Sequence, residues 1–225
     1  MRHRVGKRIG ALLLALVLCA SAAPRARAAE SLENFADLDR NAWYAPGVRF
    51  CLKNGLMNGF GNRIRIFEPD TPMTRAQFVT ILWRIAGEPK VGLAMQYNDV
   101  PEGQWYTEAV RWALAEDVMS GYTAATFAPE DPITREQIAV LLWRYTQWIN
   151  GSVPKLTDAN YGNYGDCDEV SAYAREAMEW ACALGVVTGY RDHRGEVWLM
   201  PWGNSSRAVV ATMLMRFCID HGLYK

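Results

Sequence analysis

Histidine is scarce in this chain and cysteine nearly so: 3 and 5 among 225 residues. There is no Cys-x-x-Cys pair, so the spacing that builds a structural zinc site is missing. No Ser-His-Asp set, nucleophile elbow, metal motif or phosphate-cradling glycine loop can be assembled. The one apolar stretch near the N-terminus, Ala11 to Ala20, is too short for a membrane span. A basic surplus is also absent, since 24 Lys and Arg face 24 Asp and Glu. These absences argue against an enzyme, a metalloprotein and a general nucleic-acid binder, which needs a basic face.

What the N-terminus does contain is an export signal. Arg2, Arg4, Lys7 and Arg8 form a basic region, Ala11 to Ala20 the apolar core, and Ala26-Arg27-Ala28 a small-x-small cleavage site. Residues 1–28 therefore read as a secretory signal peptide. A lipoprotein reading through Cys19 is opposed by the large Leu18 before it. Without its six basic residues the remainder has 18 basic against 24 acidic side chains, a net charge of −6. Any anion held by such a protein must be met by arginines placed locally. Cys51, Cys167, Cys182 and Cys218 remain, and export permits disulfides in any of three pairings. Cys51, Cys182 and Cys218 sit in helical patterns where small apolar residues would serve, which favours buried free thiols.

The chain writes one corner three times: Met73-Thr74-Arg75-Ala76-Gln77-Phe78, Ile133-Thr134-Arg135-Glu136-Gln137-Ile138, and more loosely Ser205-Ser206-Arg207-Ala208-Val209-Val210. Thr74 with Gln77 and Thr134 with Gln137 fit a capping box. Arg75 and Arg135 then fall at the first helical position, beside amides expected to be free and the positive end of the helix dipole. That arrangement suits a carboxylate or phosphate. A competing reading pairs Arg75 with Asp70 and Arg135 with Glu130 or Asp131 as surface ion pairs of little worth. Arg84, Arg144 and Arg216 also recur, inside the helix, where a solvated or inter-unit role is expected.

Other marks recur in the same order. Phe35-x-Asp37, Tyr97-x-Asp99 and Tyr164-x-Asp166 open three units, and Trp43, Trp105 and Tyr173 follow six or seven residues after each aspartate. Gly59, Gly121 and Gly189 each come sixteen residues later, with an aromatic behind them. Phe67-x-Pro69, Phe127-x-Pro129 and Leu199-x-Pro201 precede the arginine corner. A period of about 60–70 residues makes three helix-loop-helix units, too small to bury their apolar stripes separately. Their bounds are 35–90, 97–150 and a divergent 164–222. Unit 3 has Tyr173 for tryptophan, Val209 for the capping glutamine, and an inserted Arg191-Asp192-His193-Arg194-Gly195 that reads as an exposed turn with a solvated His193.

This ordered set resembles the S-layer homology (SLH) family, from Phe35 to about His221. The resemblance implies an all-α fold, with three tandem units packed as a pseudo-threefold, spindle-like helical body. It also implies a secreted, non-catalytic protein at the wall or surface of a bacterium. Such a protein binds secondary cell-wall polysaccharide attached to peptidoglycan, often through a pyruvylated amino sugar, in grooves between units. On that reading Arg75 and Arg135 take the carboxylate, Trp43 and Trp105 lie on sugar faces, Asp37 and Asp99 accept hydroxyls, and Gly59 and Gly121 admit the ligand. A weaker third site would use Asp166, Tyr173, Gly189 and Arg207. No cofactor or metal is implied.

Blander roles compete for most of these residues. Taken alone, Trp43 and Trp105 read as core aromatics, Asp37 and Asp99 as turn caps, and the glycines as helix stops. Glu68 with Asp70, or Glu130 with Asp131, would be the carboxylate pair of a glycosidase, but they read more economically as loop residues. The second functional reading is an envelope interaction or scaffold protein that kept the fold and binds a protein instead of glycan.

Overall fold

The computed structural model describes residues 31–61 and 63–224; the signal sequence and Cys19 lie outside them. Six α-helices carry the fold: α1 (Ala45–Lys53), α2 (Arg75–Ile85), α3 (Thr107–Ala115), α4 (Arg135–Asn150), α5 (Arg175–Ala183) and α6 (Arg207–Asp220). One short hairpin, β1 (Tyr190–Arg191) with β2 (Val197–Trp198), joins them. It is built from the unit 3 insertion and leaves His193 exposed at its turn. The expected all-α architecture holds. Among the described residues no helix is long and apolar enough to cross a membrane.

Helices of 9 residues, such as α1, α3 and α5, are too short to persist alone in water. They are stabilised by partners from the neighbouring unit. The helix α2 packs on α3, α4 on α5, and α6 returns to α1, so the last unit closes onto the first. Val48, Phe78, Trp112, Ile138, Tyr145 and Phe217 are fully buried between these pairs, each contributing about 1.5–3 kcal/mol of transfer free energy. At the closing pair Gly47 lets two backbones touch: a Cβ there would lie 2.7 Å from Thr212 Cα. Gly47→Ala is expected to cost about 1–3 kcal/mol through overpacking, read as a lowered thermal midpoint with unchanged helix content.

A ring of backbone hydrogen bonds closes the centre. Met73 donates to the Ser205 carbonyl at 2.9 Å, Ser205 to Ile133 at 3.0 Å, and Ile133 to Met73 at 2.9 Å. Around it each corner helix is capped by the next loop. The Arg75 and Ala76 amides donate to Asp131 and Pro129, Arg135 and Glu136 to Gly203 and Pro201, and Arg207 and Ala208 to Thr71 and Pro69. Both capping boxes form, at Thr74 with Gln77 and at Thr134 with Gln137. Ser206 caps Val209 without the reciprocal bond that a glutamine would make. The first three amides of each corner helix are thereby consumed, and none of the three ends is an open anion site.

Candidate functional site

The three corner arginines point across unit boundaries rather than into solvent. Arg75 donates from Nε and Nη2 to the Phe127 carbonyl at 3.0 and 2.9 Å, and from Nη2 to Ser120 at 3.1 Å. Arg207 makes the same pair of links, to Phe67 at 2.8 Å and Asn58 at 2.7 Å. Arg135 donates from Nε to Leu199 at 2.7 Å. Arg75 and Arg207 are each only 4% exposed, and their guanidinium carbons stand over Tyr122 at 4.2 Å and Phe60 at 4.8 Å. Burial lowers the pKa of all three, that of Arg207 to about 10. All three are inter-unit ties, with Nε of each, and Nη2 of Arg75 and Arg207, donating to backbone carbonyls of the neighbouring unit.

Asp37, Asp99 and Asp166 have an equally definite structural task. Asp37 accepts the amides of Phe67 and Glu68, Asp99 those of Phe127 and Ala128, and Asp166 those of Leu199 and Met200, all at 2.6–2.8 Å. The second residue of each pair has positive φ, between 53° and 60°, a conformation that L residues rarely adopt. Each aspartate therefore holds the turn that leads to the corner, and both its oxygens are engaged by backbone. Glu68 is one of these turn residues, its amide held by the Asp37 carboxylate.

Gly59, Gly121 and Gly189 are not helix stops. The helices end earlier, where Gly55, Asp117 and Gly185 take positive φ. Both a backbone carbonyl and the aromatic of the unit opening demand glycine: a Cβ on Gly59 would lie 2.0 Å from the Phe35 ring and 2.6 Å from the Ile66 oxygen, and one on Gly121 2.3 Å from the Thr126 oxygen and 2.6 Å from Tyr97. The Tyr97 hydroxyl in turn accepts the Gly121 amide at 2.7 Å. The recurring helix arginines also act within their own unit, Arg84 donating to Leu56 and Arg216 to Thr188.

The aromatics behave oppositely to the core reading. Trp43, Trp105 and Tyr173 are 64%, 55% and 61% exposed. Trp43 and Trp105 are braced edge-on by the following Tyr44 and Tyr106, with centroids 5.6 and 5.1 Å apart. Trp105 forms one wall of a cleft of about 300 Å³ at the junction of units 1 and 2. Asn58, Gly59, Phe60, Gln77, Arg84 and Arg207 are among its other lining residues. Sequence reasoning missed Asn58, Phe60 and this use of Arg207. The glycine-aromatic dipeptide repeated after each first helix was the available signal. Arg207, from the divergent unit, completes the cleft at the other end of the chain because the ring closes unit 3 onto unit 1.

Paired helices closed into a ring, with exposed aromatics and arginine ties at their junctions, define a repeat-built helical body. The S-layer homology domain profile matches residues 34–79 and 96–139, and these two segments are similar to that family. The cellulosome-anchoring protein of Acetivibrio thermocellus is 30% identical over 62% of this chain and 32% of its own length. The surface layer protein of Brevibacillus choshinensis is 29% identical over 70% of this chain and 15% of its own. An endoglucanase of a Bacillus species is 25% identical over 84% and 20% respectively. The matched region thus spans between about a seventh and a third of these relatives.

Proposed function

We propose that this is a non-catalytic, exported protein that attaches to secondary cell-wall polysaccharide at a bacterial surface, anchoring itself or a partner there. We also propose that residues 164–222 count as a third unit of the same family, since Asp166, Arg207 and Ser206 repeat the contacts of the first two. The observation that carries the reading is the cleft that the exposed Trp105 shares with Arg84 and Arg207. A sugar ring bearing a carboxylate, such as a pyruvyl ketal, has an apolar C–H face for the indole and an anion for the guanidinium groups. Such a cleft is largely preformed, with few polar groups to fix orientation. The relatives' names, a cellulosome-anchoring protein and a surface layer protein, support placement at the cell surface.

Trp105→Ala tests this with little risk to the fold, because the side chain is mostly exposed. Residues 29–225 are sedimented with purified wall sacculi before and after acid removal of the attached polysaccharide. The wild type is expected to bind only the intact sacculi, and Trp105→Ala about tenfold more weakly, a change of about 1.4 kcal/mol. Equal retention on stripped sacculi sinks the glycan reading and favours a protein partner.

A further inference from the structure

We propose that Asn58-Gly59, in the cleft beside Trp105, is a site of self-modification, at which Asn58 loses ammonia to become aspartate or isoaspartate and the cleft thereby loses affinity for anions. The chemistry stands on the hydrogen bonds around this one dipeptide. Its consequence for binding rests on the reading that the cleft takes a carboxylated sugar.

Asn-Gly occurs three times in the chain, at Asn54-Gly55, Asn58-Gly59 and Asn150-Gly151. In such a pair the glycine nitrogen can attack the asparagine Cγ, because glycine has no side chain to obstruct the approach. The attack requires that nitrogen to give up its proton. The Gly55 amide is committed to the Leu52 carbonyl at 3.1 Å, and the Asn54 side chain to Phe50 at 2.9 Å. The Gly151 amide is committed to the Gln147 carbonyl at 2.8 Å. Among the described residues no backbone carbonyl accepts the Gly59 amide, and Asn58 is only half-buried.

Arg207 favours the same step. Its Nη2 donates to the Asn58 carbonyl at 2.7 Å. As the Gly59 nitrogen loses its proton, negative charge spreads onto that oxygen, where the cation already stands. A bond forms between the Gly59 nitrogen and Asn58 Cγ, the bond from Cγ to its amide nitrogen breaks, and ammonia leaves with the Gly59 proton. Water then opens the cyclic imide at either carbonyl. Opening at Cγ gives aspartate. Opening at the backbone carbon gives isoaspartate, whose freed carboxylate includes the oxygen that Arg207 holds. Both products place a full negative charge on a residue that lines the cleft with Arg84 and Arg207, where it repels an anionic ligand. The repeated position is Ser120 before Gly121 and Thr188 before Gly189. Neither residue can form the imide, so the change is confined to this junction.

The test holds residues 29–225 at mildly alkaline pH and follows each Asn-Gly pair by peptide mass spectrometry, with and without urea. In the folded protein Asn58 is expected to convert at least about tenfold faster than Asn54 or Asn150, whose glycine amides must first break a hydrogen bond. In urea the three rates are expected to converge. Equal rates in the folded protein, or a slower Asn58, overturn the site. Intact sacculi are then offered to fresh protein, aged protein and Asn58→Asp. The latter two are expected to bind about fivefold more weakly than fresh protein at low salt. Asn58→Gln, whatever its initial affinity, is expected to keep that affinity through the same incubation. Undiminished binding by aged protein overturns the loss of affinity. Fresh protein that fails to bind sacculi sinks the glycan reading and this consequence with it, while the conversion rates still decide the modification site.

Discussion

Arg207→Ala is expected to unfold in urea with about 4 kcal/mol less stability than wild type at an unchanged m value. The side chain is 4% exposed. Its Nε and Nη2 satisfy the carbonyls of Phe67 and Asn58, and its cation lies over Phe60 and Phe67 at 4.8 and 4.6 Å. Truncation strands the buried Phe67 carbonyl and opens a void at the point where unit 3 closes on unit 1. Each charge-assisted bond is worth about 1.5–3 kcal/mol and each stacked cation about 0.5–2 kcal/mol. Arg207→Lys is expected to recover less than half, since one ammonium cannot reproduce the two-carbonyl fork. Arg135→Ala, which loses the bond to Leu199, should cost about 2 kcal/mol. A urea midpoint for Arg207→Ala matching that of wild type would return the arginine to the role of an exposed ligand clamp. The practical consequence is that loss of wall binding in arginine variants says nothing about ligand contact until folding has been checked.

The elements that were legible in the sequence are those whose cause is local. Capping boxes at Thr74 and Thr134 depend on residues three apart. The α2 and α4 starts therefore stood out, as did the proline in the first turn of α1 and the incomplete cap at Ser206. Repetition supplied the two segments that the family profile matches and the need for helices to pack on those of a neighbouring segment. The three thiols read as buried are buried and free. What misled was direction. An arginine at a first helical position looks exposed in one dimension, and nothing in its neighbourhood reveals a carbonyl 140 residues away. Asp37 was assigned to a sugar hydroxyl when its partners were amides 30 and 31 residues further on. Gly59 looked like a helix stop, yet it accommodates the Phe35 ring and lines the cleft beside Trp105. Trp43 and Trp105, by contrast, stand exposed because their neighbours Tyr44 and Tyr106 take the inward positions beside them. Repeated residues in a closed ring are thus ambiguous between ligand and neighbour, and only exposure separates the two.

Alkaline lability is the other large effect expected, and its sign follows from the thiols. Cys51 and Cys218 are fully buried and Cys182 is 7% exposed. Burial pushes Cys182 and Cys218 up to about 12 and raises Cys51 as well, with the Cys218 thiol adding to that rise. In the unfolded chain these thiols begin to ionise near pH 8.5, at their usual pKa of about 8.5. Below that pH both states hold the protons and the folded state keeps its full stability. Above it the unfolded state releases protons that the folded state retains, so stability falls continuously toward pH 12. Each thiol contributes a slope of about 1.4 kcal/mol per pH unit, and the three together about 4 kcal/mol per unit. Buried Tyr145, whose pKa burial also raises, steepens the loss above pH 10. Urea midpoints should therefore be flat between pH 7 and 8 and collapse between pH 9 and 10.5. Cys218→Ala should lose close to a third of that slope while keeping the same onset. At pH 8 only the half-buried Cys167 should react quickly with a thiol reagent, because the other three are shielded until the ring opens. A profile that stays level to pH 10.5, or three further thiols labelled at the rate of Cys167, would mean that the closed ring opens far more readily than its packing implies.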